Sequence, residues 1–134
     1  MAQHNDLGHW GEDLAAKYLE SKDYYILRRD WRYGHRDLDI IAMADEQTLV
    51  IVEVKTRSNE RFADAVTAVD KQKIHSLTIA ANAFIRMANI HADVRFDIIT
   101  VVGKQRPFCI THLRHAYNEE TVWKQRLHKR DFEV

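Results

Sequence analysis

The sequence predicts a mixed α/β fold, a central sheet flanked by helices in the order α-β-β-β-α-β-β. Three observations carry that reading. Two segments repeat their apolar residues at three- and four-residue spacing, the period of a helix with one buried face. Five others are rich in aromatic and β-branched residues or alternate apolar with polar, the period of a strand. Only 4 Gly and 1 Pro interrupt the 134 residues, which excludes collagen, linker and low-complexity architectures.

Leu7 to Lys22 forms the first helical segment, with Leu7, Trp10, Leu14 and Tyr18 as its apolar face. Asn5 or Asp6 can cap it, and Glu12 and Asp13 fall in its early turns. Tyr24 to Trp31 reads as a strand, and residues 32–36, with Gly34, as a turn. Asp37 to Met43 follows, with Leu38, Ile40 and Ala42 on one face and Asp37, Asp39, Ile41 and Met43 on the other. Thr48 to Thr56, containing LVIVEVKT, is the clearest strand. Val50, Val52 and Val54 share one side of it; Ile51, Glu53 and Lys55 share the opposite side. After a charged loop at residues 57–64, a long helix is expected from Asp70 to Ala88. Its seam is Ile74, Leu77, Ala81, Phe84 and Ala88. Val94–Val102 and Pro107–Leu113 complete the sheet. The expected organisation is one domain over residues 1–116 and a polar, mildly basic tail over 117–134, with a short helix near 119–123.

At 15.8 kDa the chain can bury a core without disulfide or metal staples. Cys109 is its single cysteine, so an intramolecular disulfide and a cysteine zinc cage are excluded and a reducing, cytoplasmic setting is expected. The apolar runs are too short to span a bilayer, and no membrane association is expected. Net charge is zero, unlike that of a purely electrostatic nucleic-acid binder. The charge is nonetheless polarised. Residues 1–54 hold 11 acids against 6 bases, and residues 55–134 hold 9 against 14.

Asp39, Glu53 and Lys55 stand out, with Glu12 as a fourth member. A hairpin centred on Glu46 sets Asp39 opposite Glu53 and Asp37 opposite Lys55. Directly opposed residues have Cβ atoms about 4.5–5.5 Å apart, and like charges there repel unless a cation lies between them. Hard carboxylate oxygens at this spacing suit Mg²⁺ or Mn²⁺, which retain waters and complete their shell with substrate phosphate. Lys55 would sit beside an attacking water, to orient it or to stabilise charge building on phosphorus. The competing reading is a plain Asp37–Lys55 ion pair with solvated acids beside it.

Around the first hairpin, Arg28, Arg29, Arg32 and Arg36 alternate with Trp31 and Tyr33. This combination suits a nucleic-acid backbone with splayed bases, or equally an edge strand blunted by charge. Lys71, Gln72 and Lys73 open the long helix, where a phosphate can be held; a solvated first turn is the simpler account. Of the 8 histidines, His75, His112 and His115 are expected at the surface or core edge. Cys109, Trp10, Phe84 and Phe96 are expected in the core.

The run GEDLAAKYLE, then DLDIIA, VIVEVKTR and AVDKQK, resembles the YraN family of small bacterial proteins. That family in turn looks like the PD-(D/E)XK nuclease superfamily, particularly archaeal Holliday-junction resolvases. The resemblance covers roughly residues 8–115. It implies a restriction-endonuclease-like fold. It also implies that Asp39, Glu53 and Lys55 match the D…(D/E)xK signature, and that Glu12 matches the helix-borne acid. Two positions depart from the family's usual GEIDLI: Arg36 replaces a glycine and Asp37 a glutamate. A bulky arginine there is expected to alter substrate access.

The expected function is Mg²⁺-dependent hydrolysis of DNA phosphodiesters, in branched or single-stranded DNA. Asp39 and Glu53 would hold the metal. Resolvases pair as symmetric dimers on a two-fold junction, which makes a homodimer an expectation. The alternatives are a non-cleaving nucleic-acid or protein-binding module on the same fold, and an acidic cluster that steadies a dimer or a structural cation.

Overall fold

The computed structural model describes residues 2–58, 71–103 and 107–117. Helix α1 spans Ala2–Ser21, strands β1, β2 and β3 span Tyr25–Tyr33, Arg36–Asp45 and Thr48–Arg57, helix α2 spans Lys71–Ala88, and strands β4 and β5 span Asp93–Val102 and Cys109–Tyr117. The expected α-β-β-β-α-β-β order holds among these residues. The rest of the charged loop and the expected tail helix near 119–123 lie outside them.

The strands form a mixed sheet in the order β1-β2-β3-β4-β5. All neighbours are antiparallel except β3 and β4, which run parallel from Thr48↔Asp93 to Arg57↔Val102. A parallel pair needs a crossover connection, and α2 lies within it. Each helix covers one face. Beneath α1 lie Ile40, Ala42, Val50, Val52, Ile99 and Val101; beneath α2 lie Leu38, Ile41, Leu49, Ile51, Phe96 and Ile98. The central strand therefore reads LVIV because both of its faces are covered.

Several local expectations are corrected. The first helix begins upstream of Asn5 and Asp6, so neither is its cap, and Glu12 and Asp13 fall in mid-helix. The buried stripe of α1 is Gly11, Ala15, Ala16 and Leu19, with Trp10, Leu14 and Tyr18 packed at its margins. Small residues at the centre bring the helix close to the sheet. In α2 the seam holds through Phe84, but Ala88 is exposed. Each helix ends on a residue in the left-handed conformation, Asp23 (φ 66°) and Asn89 (φ 55°), as short polar side chains allow. Cys109 is exposed rather than core, because β5 is an edge strand.

His112 is the largest departure from an edge histidine. Its side chain is 4% exposed. It links Asp97 Oδ2 (2.6 Å) to the Tyr18 hydroxyl (3.0 Å). Asp97 also accepts from Arg95 Nε and from the His115 main-chain N–H, and Arg95 donates to the Tyr24 hydroxyl. Burial alone would raise the Asp97 carboxyl, but the His112 and Arg95 hydrogen bonds outweigh it and hold the group below the usual range. This network ties β4 and β5 to α1. Among the described residues no helix is long and apolar enough to cross a membrane.

Candidate functional site

The β2–β3 pairs run from Met43↔Leu49 to Ile40↔Val52, the register expected of a hairpin centred on Glu46. The pairing stops at Ile40↔Val52, one step short of Asp39 and Glu53. β1 and β2 continue together to Tyr33↔Arg36, and β3 continues with β4 to Arg57↔Val102. The sheet thus forks, with a two-stranded arm on one side and the end of β3 on the other, and acids at the root. Asp39 Oδ2 accepts the Val54 main-chain N–H at 2.8 Å, standing in for the acceptor a continuing β2 would supply.

β1 adds a third acid that the sequence reading missed. The pairs Arg29↔Ile40 and Trp31↔Leu38 flank Asp30 and place it opposite Asp39. Asp30 and Asp39 therefore lie in one row, and Glu53 follows the last β2–β3 pair beside them. Asp30 is also left-handed (φ 50°), and the alternation of faces slips at this row. Leu38 consequently packs with Ile41 beneath α2, not with Ile40 and Ala42 as the plain period-two pattern predicts. An aspartate inside an otherwise aromatic and basic strand was the available signal, since Asp tolerates this conformation.

Glu12 reaches the row from α1. Glu12, Asp30 and Asp39 each offer an oxygen within 4.8 Å of the others. Burial, then the hydrogen bond to Asp30 and the charges of Asp39 and Asp30, push the Glu12 carboxyl up to about 8. Burial and the charge of Glu53 push Asp39 up to about 7 against the opposing Val54 hydrogen bond. Gly11 makes the approach possible. A Cβ there would overlap the Thr56 side chain, with Thr56 Cβ and Cγ2 at 2.9 Å. Gly11→Ala should therefore cost about 1–3 kcal/mol in urea unfolding, because α1 must lift off β3.

Glu53, 4% exposed, comes from the other side. Its Oε1 meets Lys55 Nζ at 3.1 Å and Lys73 Nζ at 3.4 Å. Its Oε2 and Glu12 Oε1 are buried without a hydrogen-bond partner. The Asp37–Lys55 ion pair is not formed, since Asp37 pairs with Arg32 at 2.8 Å. The fork has separated those two strands.

The basic residues divide. Lys73 reaches the acids, whereas Arg29 is held by Asp13 of α1 at 2.7 Å. Arg28 is exposed and donates to the Leu27 carbonyl. Arg32 is exposed on the arm, and Arg36 is half-buried at the arm's turn. Lys71 opens α2, followed by the exposed Gln72.

A row of hard oxygen donors, two of them buried and unpartnered, fits a divalent cation such as Mg²⁺ or Mn²⁺. Glu12, Asp30 and Asp39 are the residues able to hold it, with Glu53 near enough for its charge to act on Asp39. Protonation of Glu12 and Asp39 near neutral pH is how the same cluster relieves its repulsion without one.

A family model described as Uncharacterised protein family UPF0102 matches residues 11–101. A UPF0102 protein of Bacteroides thetaiotaomicron is 51% identical over 117 residues, covering 87% of this chain and 96% of that one. Similar proteins of Flavobacterium johnsoniae (45% over 121 residues, 87% and 98% covered) and Phocaeicola vulgatus (43% over 117 residues, 87% and 96% covered) carry the same description. The matched span contains Gly11, Glu12, the fork, Lys55 and Lys73, and the chain belongs to the UPF0102, or YraN, family.

Proposed function

We propose that this protein is a Mg²⁺- or Mn²⁺-dependent phosphodiesterase acting on DNA, on a restriction-endonuclease-like version of the mixed α/β fold. The observation that carries the reading is the convergence of Glu12, Asp30 and Asp39 at the root of the fork, with Glu53 near enough for its charge to act on Asp39 and with Lys55 and Lys73 on Glu53. Carboxylates opposed across strands repel, and a small domain keeps such a cluster at a cost in stability unless a cation or a reaction uses it.

Asp39 and Glu53 would be the principal metal ligands, with Glu12 and Asp30 completing the donor set. The bound ion would polarise a phosphoryl oxygen and acidify water. Lys55 is partly buried and anchored on Glu53 Oε1, which fixes its ammonium group beside the acids. There it can orient water and balance charge building on phosphorus. Arg28, Arg32 and Arg36 on and beside the arm, and the exposed Gln72 at the start of α2, would contact the phosphate backbone, while Lys73 stays on Glu53. The exposed free thiol of Cys109 suits a reducing, cytoplasmic setting.

The test is incubation of the full chain with linear, flapped, single-stranded and four-way DNA, with Mg²⁺, Mn²⁺ or EDTA. Cleavage of at least one form that EDTA abolishes is expected. Salt-dependent binding with no cleavage under any metal would replace this reading with a binding module.

A further inference from the structure

We propose that Trp31 and Tyr33 form a stacking platform for an unpaired nucleobase, so that the arm selects DNA with an unpaired strand beside the phosphate at the acid row. This rests on the phosphodiesterase reading above and names its substrate class. The two residues are alternate positions on β1, so they share a face. Their rings are parallel within 3°, with centroids 6.4 Å apart.

Trp31 is fixed from beneath. Its ring meets Phe84 of α2 edge-on, at 5.3 Å and 81°. Tyr33 is 41% exposed at the end of the arm, beyond the last β2–β3 pair. The anchored ring orients the platform and the exposed one presents it, so little side-chain entropy is lost on binding.

Position and charge identify the ligand. The Phe84 contact puts the platform on the α2 side of the sheet, where Lys73 meets Glu53. Tyr33 follows Asp30 by three residues, or about 10 Å along the strand. A phosphodiester placed at the acid row would carry its neighbouring nucleotides along the arm. Arg28, exposed on the same strand, adds the positive charge a backbone needs, whereas Arg32 is already paired with Asp37. A base can lie on an aromatic face only when it has left its own stack. A duplex keeps its bases inside and offers only phosphates to the same arm.

The experiment uses the full chain in EDTA, which stops hydrolysis. The probes are a single-stranded DNA containing 2-aminopurine and a blunt duplex of the same length. The parent is expected to quench the 2-aminopurine. Tyr33→Leu should weaken single-strand binding by about 5- to 100-fold and restore the fluorescence. Tyr33→Phe should do neither, and duplex binding should change little in both variants. Unchanged single-strand binding in Tyr33→Leu, or equal losses on both probes, overturns the platform. Cleavage by the parent is measured in parallel with Mn²⁺. Cleavage without a Tyr33 effect removes the platform alone. Quenching without cleavage keeps the platform and removes the hydrolytic reading. Binding of neither probe removes both.

Discussion

Asp39→Asn is expected to reduce divalent-dependent DNA cleavage by about 100-fold or more while making the metal-free protein more stable. One side-chain change separates the two effects because Asp39 has two distinct roles. Its charge is opposed by Glu53 across the strands and by Glu12 and Asp30 beside it. Removing that charge relieves the repulsion. Its Oδ2 accepts the Val54 N–H, and an asparagine carbonyl can keep that bond. The loss of an anionic metal ligand remains, and removal of a single electrostatic group at a reacting centre costs about 10²–10³ in rate. Glu53→Gln should lose activity equally but lose stability as well. Lys55 and Lys73 both lean on Glu53 Oε1, and an uncompensated, partly buried ammonium is costly. Lys55→Ala should remove cleavage while leaving metal binding, read as the thermal shift on adding Mg²⁺. Parent and variants that cleave nothing on any DNA form, with all three variants destabilised alike with or without Mg²⁺, would sink the hydrolytic assignment.

The sequence made part of this site legible and hid the rest for definable reasons. The strand-like run LVIVEVKT and the short turn at Glu46 set the β2–β3 register through Ile40↔Val52, which brings Asp39 and Glu53 to the same end of the pairing. Extending the same register outward to Asp37 and Lys55 failed. No local pattern records where two strands part, and these strands part at Asp39. Asp30 was hidden by its own backbone. It is left-handed, and the alternation of faces on β2 slips at the same row, where Leu38 turns to the α2 side. His112 looked peripheral because it lies in an edge strand. Its side chain nonetheless points beneath α1, where three tyrosine and acid partners across distant sequence bury it. The fold class was readable because it depends on period and order alone. The site depends on where those periods fail.

The stability of the metal-free protein is expected to fall as pH rises from about 5 to 8, and Mg²⁺ is expected to flatten that fall. The carboxyls of Glu12 and Asp39 ordinarily titrate at 4.5 and 3.8, and in the folded protein at about 8 and about 7. Between those limits the folded state holds protons that the unfolded chain has released. The unfolded state then binds fewer protons, so unfolding becomes easier as pH increases. Asp97 acts with the opposite sign and elsewhere on the scale. Its lowered carboxyl contributes stability above its unfolded value and loses it only as pH falls into the acid range. A divalent cation competes with the protons on Glu12 and Asp39, so its affinity should grow with pH and its binding should release them. At a hundredfold excess over Kd it adds about 2.7 kcal/mol, and the cation-bound fold has no protons on these groups left to lose, so its stability stays nearly level toward pH 8. Melting curves at pH 5, 6.5 and 8, each with EDTA or Mg²⁺, read this directly. Asp39→Asn should shrink both the fall and the effect of Mg²⁺ on it. A metal-free melting temperature that does not fall from pH 5 to 8 in the parent would mean that the acids at the fork do not hold extra protons, and that the cluster is a solvated surface rather than a cation site.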